Sequence, residues 1–243
     1  MLEEWIIEIH EQSRQTYGVR RVHRQLLKHG VRVSARRISR IKRKLGLETQ
    51  VKKPFRATTD SNHKSPIAPN HLNREFTTEH PDDVYVGDIT YIHTRDGWLY
   101  LAVWIDLYSR AVVGWSMAEH MQASLVCDAL KMACFKRNPG SGLLIHSDRG
   151  SQYASTEFRD LLSERAFKQS MSRKGNCWDN APAESFFHTL KTELVYRQDY
   201  QTPLEAKQSI FEYIEVFYNR QRMHSTIDYH TPEKYEKLYH KAA

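Results

Sequence analysis

Three β-prone runs joined by little more than tight-turn residues dominate the middle of the chain. Val84 to Ile92 is rich in β-branched and aromatic residues, and Asp96-Gly97 supplies a hairpin turn. Trp98 to Leu107 is a second run, and Ala111 to Met117 follows Ser109-Arg110 as a third. The period then changes. Ala123 to Phe135 carries Leu125, Ala129, Met132 and Ala133 on one helical face, Leu143 to His146 is a short apolar strand, and Thr156 to Arg165 is another helix. Hairpin strands followed by helix, strand and helix predict a mixed α/β sheet with helices packed on it.

The first third is written differently. Residues 1–80 hold 17 basic and 8 acidic side chains, whereas residues 81–243 hold 19 and 21, so the whole excess of +7 belongs to the N-terminal part. Between Gln12 and Arg56 there are 15 Lys/Arg against the single acid Glu48. Val22, Leu26 and Leu27 mark one face of a helix from Val19 to His29 that Gly30 ends. Ser34 caps a second helix in which Ile38, Ile41 and Leu45 recur, and Gly46 stands past its end. Its other side carries Arg36, Arg37, Arg40, Lys42, Arg43 and Lys44. Two short helices with a basic outer face describe a helix-turn-helix that grips nucleic acid, weighed against a plain amphipathic hairpin. From Ala57 to Asp83 the chain is polar, holds three prolines and lacks periodicity, which reads as a linker able to lie along another surface.

Several classes are excluded. The longest apolar run, Trp98 to Ile105, is eight residues against the roughly 20 of a membrane span. The N-terminus is acidic and does not resemble a signal peptide. Three cysteines without C-x-x-C spacing offer neither a disulfide framework nor a zinc site, and there is no G-x-S-x-G elbow. A reducing cytoplasm fits this usage.

Chemistry is suggested by an acid where none belongs. Asp88 interrupts a strand whose neighbours call for burial, and an idle buried carboxylate is costly unless paired, hydrogen-bonded or bound to a metal. Asp148 ends the short apolar strand and opens a loop, the place where ligands gather in α/β sheets. Glu184 is the candidate third acid, early in a helix from Ala181 to Leu194 with Pro182 in its first turn. On that helix Phe186, Phe187, Leu190 and Leu194 form the apolar stripe, while Glu184, His188 and Lys191 share another side. Such oxygen donors suit Mg²⁺ or Mn²⁺, and Lys191 would meet a phosphate. Asp106, Asp179 and Glu193 are rival acids.

These residues carry a resemblance. Gly87 to Ile92 (GDITYI), His146 to Tyr153 (HSDRGSQY) and Asp179 to Lys191 (DNAPAESFFHTLK) resemble the three catalytic signatures of DDE transposases of the insertion sequence 3 family, OrfB type, relatives of retroviral integrases. Thirty-five residues separate Asp148 from Glu184, as in that family, and Lys191 stands seven after the glutamate. Tyr17 to Leu47 resembles the family's helix-turn-helix, Ala68 to Phe76 its connecting motif and Asn219 to Glu233 its C-terminal motif. Tyr85 replaces a usual Trp, and Asp228 a usual Gly.

The resemblance implies an α/β, RNase H-like mixed sheet with flanking helices, preceded by a small all-α helix-turn-helix domain. Its implied division is residues 1–56 for DNA binding, 57–83 as linker, 84–195 as catalytic core and 196–243 as a helical C-terminal extension. It implies metal-dependent cleavage of DNA at element ends followed by strand transfer, with two Mg²⁺ (or Mn²⁺) ions on Asp88, Asp148 and Glu184. Arg36, Arg37, Arg40, Arg43, Lys44 and Lys191 would contact double-stranded DNA. A homo-oligomer, an upstream OrfA-type partner or fusion, and a cytoplasmic, nucleoid-associated location are implied as well. The alternatives are an RNase H-like nuclease that cuts without joining and a helix-turn-helix regulator with structural carboxylates. The helix from Pro203 to Arg222, with Ile210, Ile214 and Phe217 on one face, is expected to pack on the core.

Overall fold

A computed structural model describes residues 1–49 and 65–242. The end of the expected helix-turn-helix domain, 50–56, and the start of the expected linker, 57–64, lie outside the described residues, as does 243.

Strands β1 (Val84–Thr94), β2 (Gly97–Asp106) and β3 (Val112–Ala118) form an antiparallel meander. Thr94 pairs with Gly97, so the hairpin loop is Arg95-Asp96, one residue earlier than the Asp96-Gly97 turn expected. Strand β4 (Leu144–Ser147) adds parallel to the far edge of β1, and β5 (Lys168–Met171) adds parallel to β4, giving the order β3-β2-β1-β4-β5. The period of two sorts the side chains. Leu99, Leu101, Val103 and Ile105 of β2 enter one core, while Ala102 and Trp104 enter the other. The Trp104 face is covered by α4 (Ala123–Arg137) and α5 (Thr156–Glu164), the opposite face by α6 (Ala181–Glu193) and α7 (Pro203–Glu212).

Helix α7 does not run on to Arg222 as a regular helix. From Tyr213 to Tyr218 the chain widens into a π-helical turn, with Asn219 N–H bonded to Ile214 O at 3.1 Å and Arg222 N–H to Phe217 O at 2.8 Å. The wider turn lets Tyr213, Ile214, Phe217 and Tyr218 all bury against the sheet. Residues 65–83 lie along the molecule, with Leu72 in the core and the His71 and Leu72 N–H groups donating to Ser170 Oγ. The last helix is α8 (Pro232–Ala242).

The N-terminal module has three helices, α1 (Leu2–Gln12), α2 (Val19–Lys28) and α3 (Ala35–Lys44), the first of which the periodicity did not announce. Ser34 Oγ accepts from Arg37 N–H at 3.3 Å, and Gly30 (φ 76°) and Gly46 (φ 64°) take the left-handed conformation that ends each helix. Its apolar core (Ile6, Ile9, Tyr17, Val22, Leu26, Ile38, Ile41) is completed by Met223 from the distant C-terminal segment. Met223 N–H donates to the Tyr17 hydroxyl at 2.8 Å, and Lys28 Nζ donates to Tyr229 O at 2.8 Å. Burying a methionine is worth about 1.5–3 kcal/mol, so this contact fastens the module to the rest of the chain. Asp228, where a glycine was anticipated, does adopt a left-handed φ of 50°. No helix among the described residues is long and apolar enough to cross a membrane.

Candidate active site

Parallel pairing of β1 with β4 begins at Val84/Leu144 and ends at Gly87/Ser147. Asp88 and Asp148 are the next residues of the two strands, so both carboxylates arise where pairing stops. On its other edge Asp88 remains paired, opposite Val103. Its Oδ1 accepts from Ile89 N–H at 2.8 Å, and Asp148 Oδ1 accepts from Gly150 N–H at 2.9 Å, closing the turn that leaves β4. A Cβ on Gly150 would stand 3.1 Å from that same oxygen, so the glycine permits the wrap.

Glu184 reaches this place by another route. Asp179 accepts from the Arg173 backbone N–H and guanidinium, from Arg74 Nε at 2.7 Å and from Asn70 Nδ2 at 3.0 Å, which pins the loop before α6. Asn180 Nδ2 then donates to Gly87 O at 3.0 Å, tying the start of α6 to β1 beside Asp88. Glu184 follows in the first turn and is half-buried. Lys191, two turns on, is buried, with Nζ 4.9 Å from the Tyr91 ring centroid.

The three acids share one field. Burial and then Asp148 push the Asp88 carboxyl well above its ordinary value, Glu184 adding to the shift, while the Ile89 N–H and Lys191 oppose it. Glu184 is raised by burial and by Asp148. Burial lowers Lys191, against the pull of Asp88. Among the described residues no three His, Cys, Asp or Glu side chains are grouped closely enough, as they stand, to hold a metal ion. The open grouping nevertheless suits Mg²⁺, which takes few protein carboxylates and keeps places for water and phosphate.

The rival acids are structural. Asp106 is fully buried and accepts from the Ser109 N–H and hydroxyl; burial moves it up to about 6 against those bonds. Arg110 turns away from it and donates to Phe76 O. The bonds from Arg173, with those from Arg74, hold Asp179 well below the usual range. Burial raises Glu193, but the paired bonds from Arg222 (2.8 Å each) and the Tyr213 hydroxyl bring it below its ordinary value.

Two further residues bear on the site without any signal in the sequence pattern. Asn180 is one. Tyr153 is the other: its ring packs on Trp104, its buried hydroxyl has no partner among the described residues, and burial with the charges of Asp88 and Asp148 raises its pKa. Tyr153 lies inside the HSDRGSQY block, where its apolar ring concealed its polar end.

On α3, Arg36, Arg37, Arg40, Arg43 and Lys44 are exposed, with Lys44 paired to Glu3 at 2.9 Å. Lys42 does not belong to that face. It is buried, donating to Tyr17 O at 2.9 Å and Thr49 Oγ1 at 3.1 Å.

Models of known families match three stretches: an HTH-like domain at residues 1–55 and integrase core domains at 78–177 and 184–238. A 31 kDa protein of insertion element IS600 from Shigella sonnei is 45% identical over 96% of this chain and 86% of its own length. The transposase InsF for insertion sequence IS3A from Escherichia coli K12 is 40% identical over 92% of this chain and 78% of its own. In a simian T-cell lymphotropic virus intasome, one chain shares the fold with a TM-score of 0.56 at 19% identity, over 88% of this chain and 70% of that one. With an RNase H-like integrase core behind an HTH-like domain and relatives of this likeness along nearly all its length, the chain belongs to the insertion sequence 3 family of transposases.

Proposed function

We propose that Asp88, Asp148 and Glu184 hold the divalent cations of this transposase, two Mg²⁺ or Mn²⁺ ions, and that Lys191 binds a DNA phosphate beside them. One observation carries the reading: three carboxylates come from three separate elements, and beside burial the charge of Asp148 raises the proton affinity of both Asp88 and Glu184. A polypeptide gains no stability from such a cluster by itself, whereas bound cations relieve the repulsion. When bound, the ions polarise the scissile phosphate and support in-line displacement at phosphorus.

The chain's own groups do the remainder. Asp88 and Asp148 present oxygens fixed by the Ile89 and Gly150 N–H groups. Asn180 holds the end of α6 on β1, which sets where Glu184 stands. Lys191, packed on Tyr91, offers a cation whose reach is limited by burial and which positions a phosphate oxygen. A water oxygen attacking phosphorus would expel the 3′-oxygen of the element end as a 3′-OH and leave a 5′-phosphate on the flank. That hydroxyl would then attack a target phosphodiester, forming a new P–O bond as the target's own 3′-oxygen leaves, so that two displacements occur without a protein–DNA bond.

Residues 1–56 are the DNA-gripping module, 57–83 the connection, 84–195 the catalytic module and 196–243 the C-terminal extension. Arg36, Arg37, Arg40, Arg43 and Lys44 face the duplex from α3. The protein works on chromosomal DNA in the cytoplasm, as a homo-oligomer, with an OrfA-type upstream partner supplying end recognition. Asp88→Asn and Glu184→Gln on an end-containing duplex with Mg²⁺ test the assignment. Loss of both cleavage and joining supports it, and survival of both overturns it. Nicking by the wild type that never proceeds to joining, even with the upstream partner, would instead favour a simple nuclease.

A further inference from the structure

A cavity of about 540 Å³ opens on the side of α6 next to the one that bears Glu184 and Lys191. From α6 it is lined by Ser185, His188, Thr189 and Thr192. Opposite them stand three arginines from three distant parts of the chain: Arg21 on α2, Arg110 after β2, and Arg222 beyond the π-helical turn. Glu193 is the one acid among the lining residues, and both its oxygens are taken by Arg222. Arg21 and Arg110 therefore leave the cavity with a net positive charge.

Two observations mark this charge as unsatisfied. Among the described residues neither Arg21 nor Arg110 forms an ion pair, although each is half-buried; Arg21 lies 5.5 Å from the Tyr17 ring centroid, and Arg110 gives one N–H to Phe76 O. The Arg110 Nε is also buried without a hydrogen-bond partner among the described residues. An unsatisfied buried donor on a cationic side chain points to an anionic ligand. The field agrees: burial, reinforced by Arg222, Arg21 and Arg110, keeps the His224 imidazole well below its ordinary value. Phe76, Ile105, Pro182 and Phe186 give the same cavity an apolar wall.

We propose that this cavity receives one phosphodiester group, with its deoxyribose against the apolar wall, from the DNA strand that passes over α6 away from the carboxylates. Arg21 and Arg110 are its cationic donors, and the hydroxyls of Ser185 and Thr189 line its floor. Because Arg21 belongs to the N-terminal module and Arg110 to the sheet, an occupied cavity couples the hold on DNA to the placement of the catalytic helix. This rests on the assignment of Asp88, Asp148 and Glu184 as the reacting centre.

The test is binding of the full chain to an end-containing duplex in EDTA, so that no chemistry occurs. Single phosphates of the duplex are replaced in turn by neutral methylphosphonates. One position away from the scissile phosphate should weaken wild-type binding by roughly tenfold, the loss of one charge-assisted contact. In Arg21→Gln that position should no longer matter, and the slope of log affinity against log salt should fall by about one. Thr226→Glu, on the exposed rim, keeps every arginine and should give the same result by placing an anion at the mouth. Identical methylphosphonate profiles and salt slopes in wild type and both variants overturn the proposal. Stabilisation of the wild type by inorganic phosphate alone, with an unaltered DNA profile in the variants, overturns it in favour of a free-phosphate site. Cleavage by Asp88→Asn is read separately, so a failure of the carboxylate assignment is not mistaken for a failure here.

Discussion

Asp88 and Asp148 occupy equivalent positions on two parallel strands, each one residue past the last paired couple, Gly87 and Ser147. The end of a backbone ladder thus makes a pair of like charges, and the energetic consequence can be measured without DNA. The unfolded chain releases the Asp88 proton at the ordinary carboxylate value, the folded chain only at higher pH. The contribution of Asp88 to metal-free stability is therefore fully present below the ordinary value and is lost as pH rises through the raised one. At neutral pH Mg²⁺ or Mn²⁺ should raise Tm, by about 2.7 kcal/mol of stability at a hundredfold excess over Kd. Asp88→Asn should be more stable without metal and insensitive to it. A wild-type Tm indifferent to both ions would remove the cation site.

Neutralising α3 separates surface from core. Arg36→Gln, Arg37→Gln and Arg40→Gln together should lower the salt slope of DNA binding by about 2.7 if each meets one phosphate. Lys42→Gln, only two residues further on, should leave the slope alone and instead lower Tm, because its Nζ serves Tyr17 O and Thr49 inside the module. An unchanged slope in the triple variant would refute the duplex-facing role of α3.

The Glu193–Arg222 pair is the buried ionic fastening of the C-terminal segment, with 8% and 6% of the side chains exposed. Glu193→Ala leaves a guanidinium without its partner and should cost about 3–5 kcal/mol in denaturant unfolding. Since the folded pKa of Glu193 is net lowered, its contribution is present above the ordinary glutamate value and is lost as pH falls through the lowered one. A wild-type stability that does not respond to Glu193→Ala would contradict this account.

Tyr153→Phe removes a buried hydroxyl that has no partner among the described residues. Metal-free Tm should stay level or rise, by up to about 1–3 kcal/mol of recovered desolvation. A fall of that size would mean the phenol is bonded in solution, and mapping its partner would then revise the surroundings of Asp88 and Asp148.

Local chemistry was readable in the residues themselves. Ser34, Gly30 and Gly46 announce the ends of α2 and α3 because capping and left-handed φ are properties of single residues. Asp88 announces itself because a strand penalises an idle charge. Strand β5 escapes notice because Lys168-Gln169-Ser170-Met171 has no alternation and takes its register from β4. Lys42 escapes because only the turn of α3 against Tyr17 decides that it is inside. The π-helical turn at Tyr213–Tyr218 answers to the shape of the sheet beneath it, and the Glu193–Arg222 pair joins residues 29 positions apart. Each is a product of packing, which no local pattern encodes.

The contact between Tyr17 and Met223 spans 206 positions of chain. On a ribosome the basic helices emerge first, yet the last apolar piece beneath them arrives only after the whole catalytic sheet has been made. Closure of the N-terminal module thereby waits on the C-terminal segment: a chain cut before Met223 would leave these helices on an open apolar base, more readily reached by a protease.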